Sequence, residues 1–342
     1  SLVIQITGLT KMDRNVISAF RAVAIKSAYC CHCQACQVEC PVGALVVNGQ
    51  VTVSDACTAC GACLDLHGKT CLAFASLKTS EGDLKMDKAK RRPLHTYQHF
   101  GMRKEWLESF LVYQESWISN NDLGVCQADA MLIWLRHSEL ITGNKRSINI
   151  ENLATILAKH GLHSPFVWAV IWTNLVRNSA PVQWYCKEIP WGATLTKNDG
   201  ANRMGKVFSQ SKSTRSNAMQ ALIGLLTKTP LGQDLGLGIA LTSDKRKLHK
   251  VGWHNPDPVS ILYSLYRYAE KHDRHEFTVR ELYEGADEGP YTSFGVEMET
   301  LVRILRGLST QNRDFIRVEI VRDLDNIFLN NMHKAIEVLD LV

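Results

Sequence analysis

The chain of 342 residues is 45% hydrophobic and 21% charged, with a formal net charge of +5 at pH 7. This composition is typical of a folded protein and excludes general disorder, while so small a charge identifies no partner. No apolar run reaches the roughly 18 residues that a membrane-spanning helix needs, so we expect no membrane association.

The chain begins SLVIQI, with neither an initiator methionine nor the basic and apolar regions of a secretory signal. We therefore expect a cytoplasmic protein and interpret the chain as a piece of a longer one. Residues 1–29 carry a short apolar strand pattern and one helical pattern, NVISAFRAVAIKSAYC, which is too little for a domain. We interpret them as the end of a preceding domain or as a linker.

Nine of the eleven cysteines lie between residues 30 and 71. Disulfides would be spread along a secreted chain and would not persist in a reducing cytosol, so local clusters indicate metal binding. The first run reads C-x2-C-x2-C-x3-C-P, the ferredoxin pattern in which three thiolates bind one cluster and the fourth reaches a second cluster. The predicted ligands of two 4Fe-4S clusters are Cys30, Cys33, Cys36, Cys40, Cys57, Cys60, Cys63 and Cys71.

The same crossing rule assigns Cys71 to the cluster of the first run and Cys40 to the cluster of the second run. Cys71 follows Cys63 after seven residues, where three are usual, and Cys31 is left as a spare thiol. Zinc is the alternative metal, because a C-x2-C pair can hold it; triple runs fit a tetrahedral ion poorly.

Between the two runs, valines flank an Asn48-Gly49 pair, which predicts a β-hairpin over Val46–Val53. Residues 30–78 are thus expected to form a ferredoxin-like iron–sulfur module. Residues 79–95 form a basic linker that contains Lys85, Lys88, Lys90, Arg91 and Arg92. This cluster, and a later one of Lys245, Arg246, Lys247 and Lys250, is either a solvated surface or a contact to phosphates.

Residues 96–342 are predicted to form a mainly helical domain, which makes the chain an α+β protein. Apolar residues recur at helical spacing in MRKEWLESFLVYQESWI and PDPVSILYSLYRYAEKH, and another helix ends before Pro230. The glycine-rich loop after Pro230 lacks the G-K-[ST] ending of a phosphate-binding loop, so we interpret it as turns. Six aromatic residues are expected in the core: Trp106, Phe110, Trp117, Trp134, Trp168 and Trp172.

Within that domain, residues of about 120–150 suggest a winged helix. A helix through Ala128 to Arg136 is followed by a Gly143-Asn144 turn that would shape a short β wing. In such motifs the second helix lies in the DNA major groove. The predicted nucleic-acid contacts are Arg136, His137, Lys145 and Arg146. Winged helices also dock proteins, which is the alternative interpretation.

The cysteine pattern CCHCQACQVECPVGALVV, continued by CTACGACLDLHGKTCLAFASLK and YQHFGMRKEWLESF, resembles the C-terminal half of bacterial phosphoadenosine-phosphosulfate-reductase-like proteins. In these proteins a ferredoxin insert follows an ATP-pyrophosphatase-type domain and precedes a helical domain of uncharacterised-family type. The segments TPLGQDLGLGIAL and HNPDPVSILYSLYRYAE look like that helical domain. Such proteins are similar to components of anti-phage systems, including those that place sulfur in the DNA backbone (phosphorothioation).

The resemblance implies an iron–sulfur redox accessory part of a sulfur-transfer or reductase-type protein in DNA modification or anti-phage defence. Its implied partners are an ATP-pyrophosphatase or reductase domain or subunit, a cysteine desulfurase or other electron donor, and DNA. The nucleotide-activating S-G-G-x-D-S loop is absent from this sequence, and no catalytic constellation is visible in it. Two alternatives are a DNA- or partner-binding defence protein whose clusters are structural or sensory, and a fragment of a ferredoxin-coupled metabolic reductase.

Overall fold

The chain divides into two units, Ser1–Arg91 and Arg92–Val342. The division falls inside the predicted linker, residues 79–95. The computed structural model describes residues 34–38, 40–48, 51–58, 94–145, 147–244, 247–285, 287–321 and 324–342. The predicted end of a preceding domain, residues 1–29, lies outside these ranges.

The described part of the first unit is a short helix and a β-hairpin. Helix α1 spans Ala35–Val38, and strands β1, Leu45–Val47, and β2, Val51–Val53, pair antiparallel. The register places Leu45 opposite Val53 and Val47 opposite Val51. The predicted hairpin is therefore confirmed.

The second unit opens with helices and a second hairpin. Its first elements, which follow a 3-10 turn at Leu94–Tyr97, are α2 (Lys104–Tyr113), α3 (Trp117–Asn120), α4 (Val125–His137), β3 (Ile141–Asn144), β4 (Ser147–Ile150) and α5 (Asn152–His160). Strands β3 and β4 pair antiparallel, with Asn144 opposite Ser147. Gly143 and Asn144 therefore belong to the strand, and the predicted turn at these two residues is wrong: the chain turns after the strand, where Lys145 lies.

The middle of the second unit surrounds one fully apolar helix. Its elements are α6 (Pro165–Asn178), α7 (Ala180–Glu188), β5 (Thr194–Thr196), α8 (Lys197–Met204), α9 (Lys212–Thr227), α10 (Pro230–Gln233), β6 (Ile239–Ala240) and β7 (Lys247–His249). The three strands form an antiparallel sheet in the order β5-β7-β6. Helix α6 is buried at every position from Phe166 to Val176, as expected of a helix that is hydrophobic all round.

The C-terminal part combines helices with a three-stranded sheet. Its elements are α11 (Pro258–His272), β8 (Glu276–Thr278), a π-helical turn (Glu281–Gly285), α12 (Pro290–Phe294), α13 (Met298–Gln311), β9 (Ile316–Val321), β10 (Leu324–Leu329), α14 (Ala335–Val338) and a 3-10 turn (Leu339–Leu341). The sheet order is β8-β10-β9, and both pairings are antiparallel.

Several helix ends follow from local sequence chemistry. The Asp257 carboxylate accepts from the Ser260 amide (2.6 Å) and caps α11. Thr278 Oγ accepts from the Glu281 amide (3.0 Å) at the start of the π-helical turn. Helix α9 ends at Thr227, before Pro230, which then occupies the first turn of α10. A proline fits there because its missing N–H is one that the first turn leaves unpaired.

The predicted aromatic anchors all lie in the core. Trp117, Trp134, Trp168, Trp172 and Phe110 have no accessible surface, and Trp106 is 8% exposed. The indole N–H groups of Trp117, Trp134, Trp168 and Trp172 donate to backbone carbonyls or to a hydroxyl. One example is the 2.7 Å bond from Trp172 Nε1 to the Ser293 carbonyl.

The protein is therefore a mixed α and β structure with small antiparallel sheets, in agreement with the predicted α+β class. No helix in the described ranges is long and apolar enough to cross a lipid bilayer.

Candidate functional site

Cys40 lies in a turn whose backbone amides favour the charged form of its thiol. The turn follows α1, and Gly43 adopts a left-handed conformation (φ 62°) in it. The amide of Val42 lowers the pKa of the Cys40 thiol, and the amides of Ala44, Leu45 and Gly43 add to this, while burial opposes it. Hydrogen bonding to the charged form favours that form. This turn therefore prepares Cys40 to act as a thiolate.

A thiolate held by amides is suited to metal coordination, because hydrogen bonds to ligand sulfurs are a feature of iron–sulfur sites. The hairpin also relates Cys40 to the second run. Ser54 donates its amide to the Ala44 carbonyl (2.8 Å), which extends the pairing past β1 and β2 toward the open end of the hairpin. Cys40 precedes this end, and Cys57, which is exposed, follows it.

The remaining predicted cluster ligands cannot be placed beside these two. Cys30, Cys33, Cys60, Cys63 and Cys71 lie outside the described residues, and for Cys36 the backbone of α1 is described without its side chain. Among the residues that the structure describes, no group of three or more His, Cys, Asp or Glu side chains could hold a metal ion. The two 4Fe-4S clusters therefore stay a prediction.

The residues predicted to contact nucleic acid are used to dock a hairpin onto a helix. Arg136, half-buried in α4, donates from Nε to the Gly143 carbonyl in β3 (3.0 Å), and burial lowers the pKa of its guanidinium. Lys145 follows β3 and pairs with Asp129 of α4 (2.6 Å). The structure thus has the helix and hairpin that the sequence predicts, but these two cations are engaged within the protein.

His137 and Arg146 complete that predicted set. The His137 ring is hydrogen-bonded through Nδ1 to the Tyr97 hydroxyl, and Tyr97 stacks on Trp134 with ring centroids 3.9 Å apart. His137 is therefore part of an aromatic cluster at the end of α4. Arg146 lies outside the described residues. Nucleic-acid binding by this segment stays a prediction.

Arg136 also lines a charged cleft of about 540 Å³ between α4, β3, α5 and α11. At its base Arg267 is paired with Glu139 and with Glu270 (3.0 Å), and Glu270 in turn accepts from the Ala335 amide (2.9 Å). The acidic and basic side chains in this cleft largely neutralise one another. We interpret the cleft as a structural ion-pair network that joins α11 to its neighbours.

A larger groove, about 870 Å³, lies beside α13. Its lining combines aromatic and polar side chains: Phe166, Asp234, Trp253, His254, Asn255, Asp257, Arg303 and Gln311. Two glycines with positive φ, Gly236 and Gly252, form its floor, and a Cβ on Gly236 would lie 2.3 Å from the Gly252 oxygen. The glycine-rich loop therefore serves turn geometry, as the sequence predicts.

Lys250 contradicts its predicted place in a basic surface cluster, because it is completely buried. Its ammonium donates to the carbonyls of Tyr185 (3.0 Å), Cys186 (3.2 Å) and Ile189 (2.6 Å), at the end of α7. The last carbonyls of a helix lack intrahelical partners and carry the negative end of its dipole. Lys250, which directly follows strand β7, therefore caps the C-terminal end of α7.

The Lys250 ammonium also lies 4.0 Å from the Trp191 ring centroid and 4.8 Å from that of Tyr185. No carboxylate within the described ranges pairs with it, and burial lowers the pKa of Lys250 to about 8. Sequence alone carries no signal for this environment, since Lys247, three residues earlier on β7, is exposed.

Comparison with known proteins finds similarity in fold alone. No protein-family model and no curated protein matches the chain. A solved structure described as SspB has a TM-score of 0.58 and 12% identity, covering 72% of this chain and 86% of that one. A magnesium-ion-bound SspB structure has a TM-score of 0.60 and 13% identity, covering 73% and 88%. At such identity the likeness shows a shared fold.

Proposed function

We propose that this protein carries two 4Fe-4S clusters in its first unit and is the redox accessory part of a sulfur-transfer or reductase-type protein in bacterial DNA modification or anti-phage defence. The observation that supports the proposal most directly is the pair of cysteine runs, C-x2-C-x2-C-x3-C-P and C-x2-C-x2-C, together with the amide-lined turn at Cys40.

The Cys40 turn suits a thiolate metal ligand, and the triple C-x2-C-x2-C runs favour an iron–sulfur cluster over zinc. A turn that aims several amides at one sulfur stabilises negative charge on that sulfur, which a polyanionic cluster requires at each ligand. The two cysteine runs lie on either side of the β1–β2 hairpin. This arrangement is expected for a module in which each run supplies its fourth cysteine to the cluster of the other. When bound, clusters of this kind accept and release single electrons at potentials set by hydrogen bonds and exposure.

The chain's own residues would then hold and insulate the clusters and bring them to a partner. The resemblance of the cysteine pattern to phosphoadenosine-phosphosulfate-reductase-like proteins supports an ATP-pyrophosphatase-type domain or subunit as that partner. A cysteine desulfurase or another electron donor would supply sulfur or electrons, and DNA would be the molecule modified. The second unit, Arg92–Val342, would supply the docking surfaces.

The metal content tests the first half of the proposal. Protein purified or reconstituted without oxygen should contain about eight iron atoms and as much acid-labile sulfide per chain. Its clusters should be reduced at low potential and should then give an EPR signal. The variant Cys40→Ala should lose about half of the iron, since it removes one ligand of one cluster. Cys126→Ala, a change at an exposed cysteine of α4 outside the runs, is the matched control and should keep all of it. Bound zinc without sulfide would overturn the proposal.

The phosphorothioate content of DNA tests the second half of the proposal, the role in DNA modification. In a bacterial host that carries the complete system, Cys40→Ala should abolish phosphorothioate-linked dinucleotides, measured by mass spectrometry of digested DNA, whereas Cys126→Ala should leave them unchanged. If Cys40→Ala loses iron and the modification persists, the redox role in DNA modification is excluded. The clusters are then structural or sensory.

A further inference from the structure

The C-terminal part of the second unit has the connectivity of a winged helix, at a place where the sequence pattern does not indicate one. Helix α11 leads into β8, the π-helical turn and α12 follow, and α13 then precedes the β9–β10 hairpin. Strand β10 pairs with both β8 and β9, so the last of the three strands in the chain lies in the middle of the sheet. In this topology α13 is the second helix of a helix-turn-helix and the β9–β10 hairpin is the wing.

Helix α13 keeps one face free while the other enters the core. Leu301, Ile304, Leu305 and Leu308 are buried, and α13 packs against α11 and β9. The opposite face exposes Glu299 at its N-terminal end, followed by Arg303, Arg306, Thr310 and Gln311. At 14 residues the helix is about 21 Å long, enough to lie along a DNA major groove about 12 Å wide.

The charge of this face suits phosphates. Between Glu299 and Asp314 the sequence has three arginines, Arg303, Arg306 and Arg313, and no acidic residue. Within the described part of the chain, Arg303 and Arg313 have no carboxylate partner, and Arg306 donates only to the Ile320 carbonyl of the wing (3.4 Å). On β9, Arg317 is exposed and lies 3.5 Å from Glu319, a weak surface pair.

The same face is poorly suited to an apolar protein partner. The large hydrophobic residues that the described structure exposes lie elsewhere, for example Val112 and Tyr113 on α2 and Val125 on α4. A stable protein interface has an apolar centre, whereas nucleic acid is bound mainly through cations and polar groups. Arg136 and Lys145, by contrast, are already bonded within the protein.

We propose that the exposed face of α13, with Arg303 and Arg306 at its centre, binds duplex DNA, and that the β9–β10 wing contacts the adjacent backbone. This goes beyond the proposed redox function, because the surface lies in the second unit and needs no cluster. Arg306 is held against the wing by its bond to Ile320, so it joins the helix contact to the wing contact.

Fluorescence anisotropy of a labelled random-sequence DNA duplex tests the inference with the full chain. Wild-type protein should bind at low salt and weaken as salt rises, because each phosphate contact releases counterions. The double variant Arg303→Gln/Arg306→Gln should lose tenfold or more in affinity, and its log–log salt slope should fall by about two, one per lost contact. Circular dichroism should show an unchanged fold, since both side chains are exposed.

Two control variants make the result specific. Lys206→Gln/Lys212→Gln removes two exposed cations from outside the C-terminal part and should leave affinity and slope unchanged. Lys145→Gln tests the hairpin of the first predicted wing. The inference is overturned if wild-type protein does not bind the duplex, if the Arg303/Arg306 variant binds like wild type, or if Lys145→Gln or the Lys206/Lys212 variant lowers the affinity as much. Cys40→Ala, which should lose cluster iron, should not affect DNA binding. The DNA-binding inference and the redox proposal can therefore be refuted independently of each other.

Discussion

The two units differ in how much apolar surface their described residues bury. In the first unit Ala44, Leu45 and Val47 are buried, while Val38, Val42, Val46 and Val53 are exposed. In the second unit one continuous core runs from Leu94 to Leu339 and contains four fully buried tryptophans. Among the described residues, the first unit therefore shows a far smaller buried apolar cluster than the second unit.

The predicted clusters lead us to expect that the two units are stabilised by different means. A two-stranded hairpin is marginally stable in water, and small modules commonly depend on a metal or on disulfides. For ligands that assemble only in the folded state, the free energy of metal binding becomes free energy of folding. We therefore expect the first unit to depend on its clusters and the second to fold without them.

Removing the metal should produce the largest effect. Treatment with a chelator and an oxidant should leave the first unit without its clusters, and the chain within residues 1–91 should become sensitive to protease. The second unit should remain as a resistant fragment that starts near residue 92, identified by mass spectrometry. If the cysteine-rich part is equally resistant before and after treatment, metal does not stabilise it.

Opening a cavity in the second unit's core should be costly as well. Trp172→Ala removes a fully buried ring and its 2.7 Å bond to the Ser293 carbonyl, so the free energy of unfolding should fall by about 3–5 kcal/mol. Urea denaturation followed by circular dichroism measures this. Val112→Ala, at an exposed position on α2, should change the value by less than about 0.5 kcal/mol. Equal effects of the two changes would contradict the core assignment.

The buried ammonium of Lys250 should contribute a smaller and pH-dependent amount. Lys250→Met leaves three carbonyls at the end of α7 without their donor, so we expect a loss of about 1–3 kcal/mol at pH 9. Burial disfavours the charged form, so this cost is present below the folded pKa of about 8.

The cost of burying the Lys250 charge falls as the pH rises toward the ordinary pKa of 10.5, because the unfolded chain then binds more protons than the folded one. The advantage of wild type over Lys250→Met in urea denaturation should therefore grow between about pH 8 and pH 10.5. Lys247→Met, on the exposed side of β7, should show no such trend. A constant difference between wild type and Lys250→Met would exclude the titration of Lys250.

The surface pair between Lys145 and Asp129 should matter least. Both side chains are substantially exposed, and exposed pairs contribute little because water and salt screen them. Lys145→Ala should lower the free energy of unfolding by about 0.5 kcal/mol or less, and the effect should shrink with added salt. A loss above about 1 kcal/mol would mean that the hairpin depends on this pair.

Local patterns in the sequence predicted local structure well. Helical spacing located α11, Pro230 marked the end of the preceding helix, and the valine pattern predicted the β1–β2 hairpin. Each of these depends on residues within a few positions of one another. The Gly143-Asn144 turn failed because the register of β3 and β4 includes both residues in the strand.

Features that depend on distant residues were missed. The winged-helix connectivity requires β8 to pair with β10, more than forty residues later, and no local pattern near Glu276 indicates that partner. Lys250 belongs to a stretch rich in cations, and the composition of that stretch predicted solvent exposure. In the structure its ammonium is instead enclosed by three carbonyls at the end of α7. The free face of α13 became visible only when its leucines were placed in the core.

By itself the sequence led to the prediction of two 4Fe-4S clusters in the first unit, because coordination depends on the type and spacing of ligands and both can be read directly from the chain. It also predicted the helices α2, α4, α9 and α11, since the hydrogen bonds of a helix close within four residues. Only the tertiary structure decided which cations are buried, which are paired and which remain available to a partner. Burial and pairing depend on contacts between segments that are remote in sequence, and those contacts arise when the core is packed.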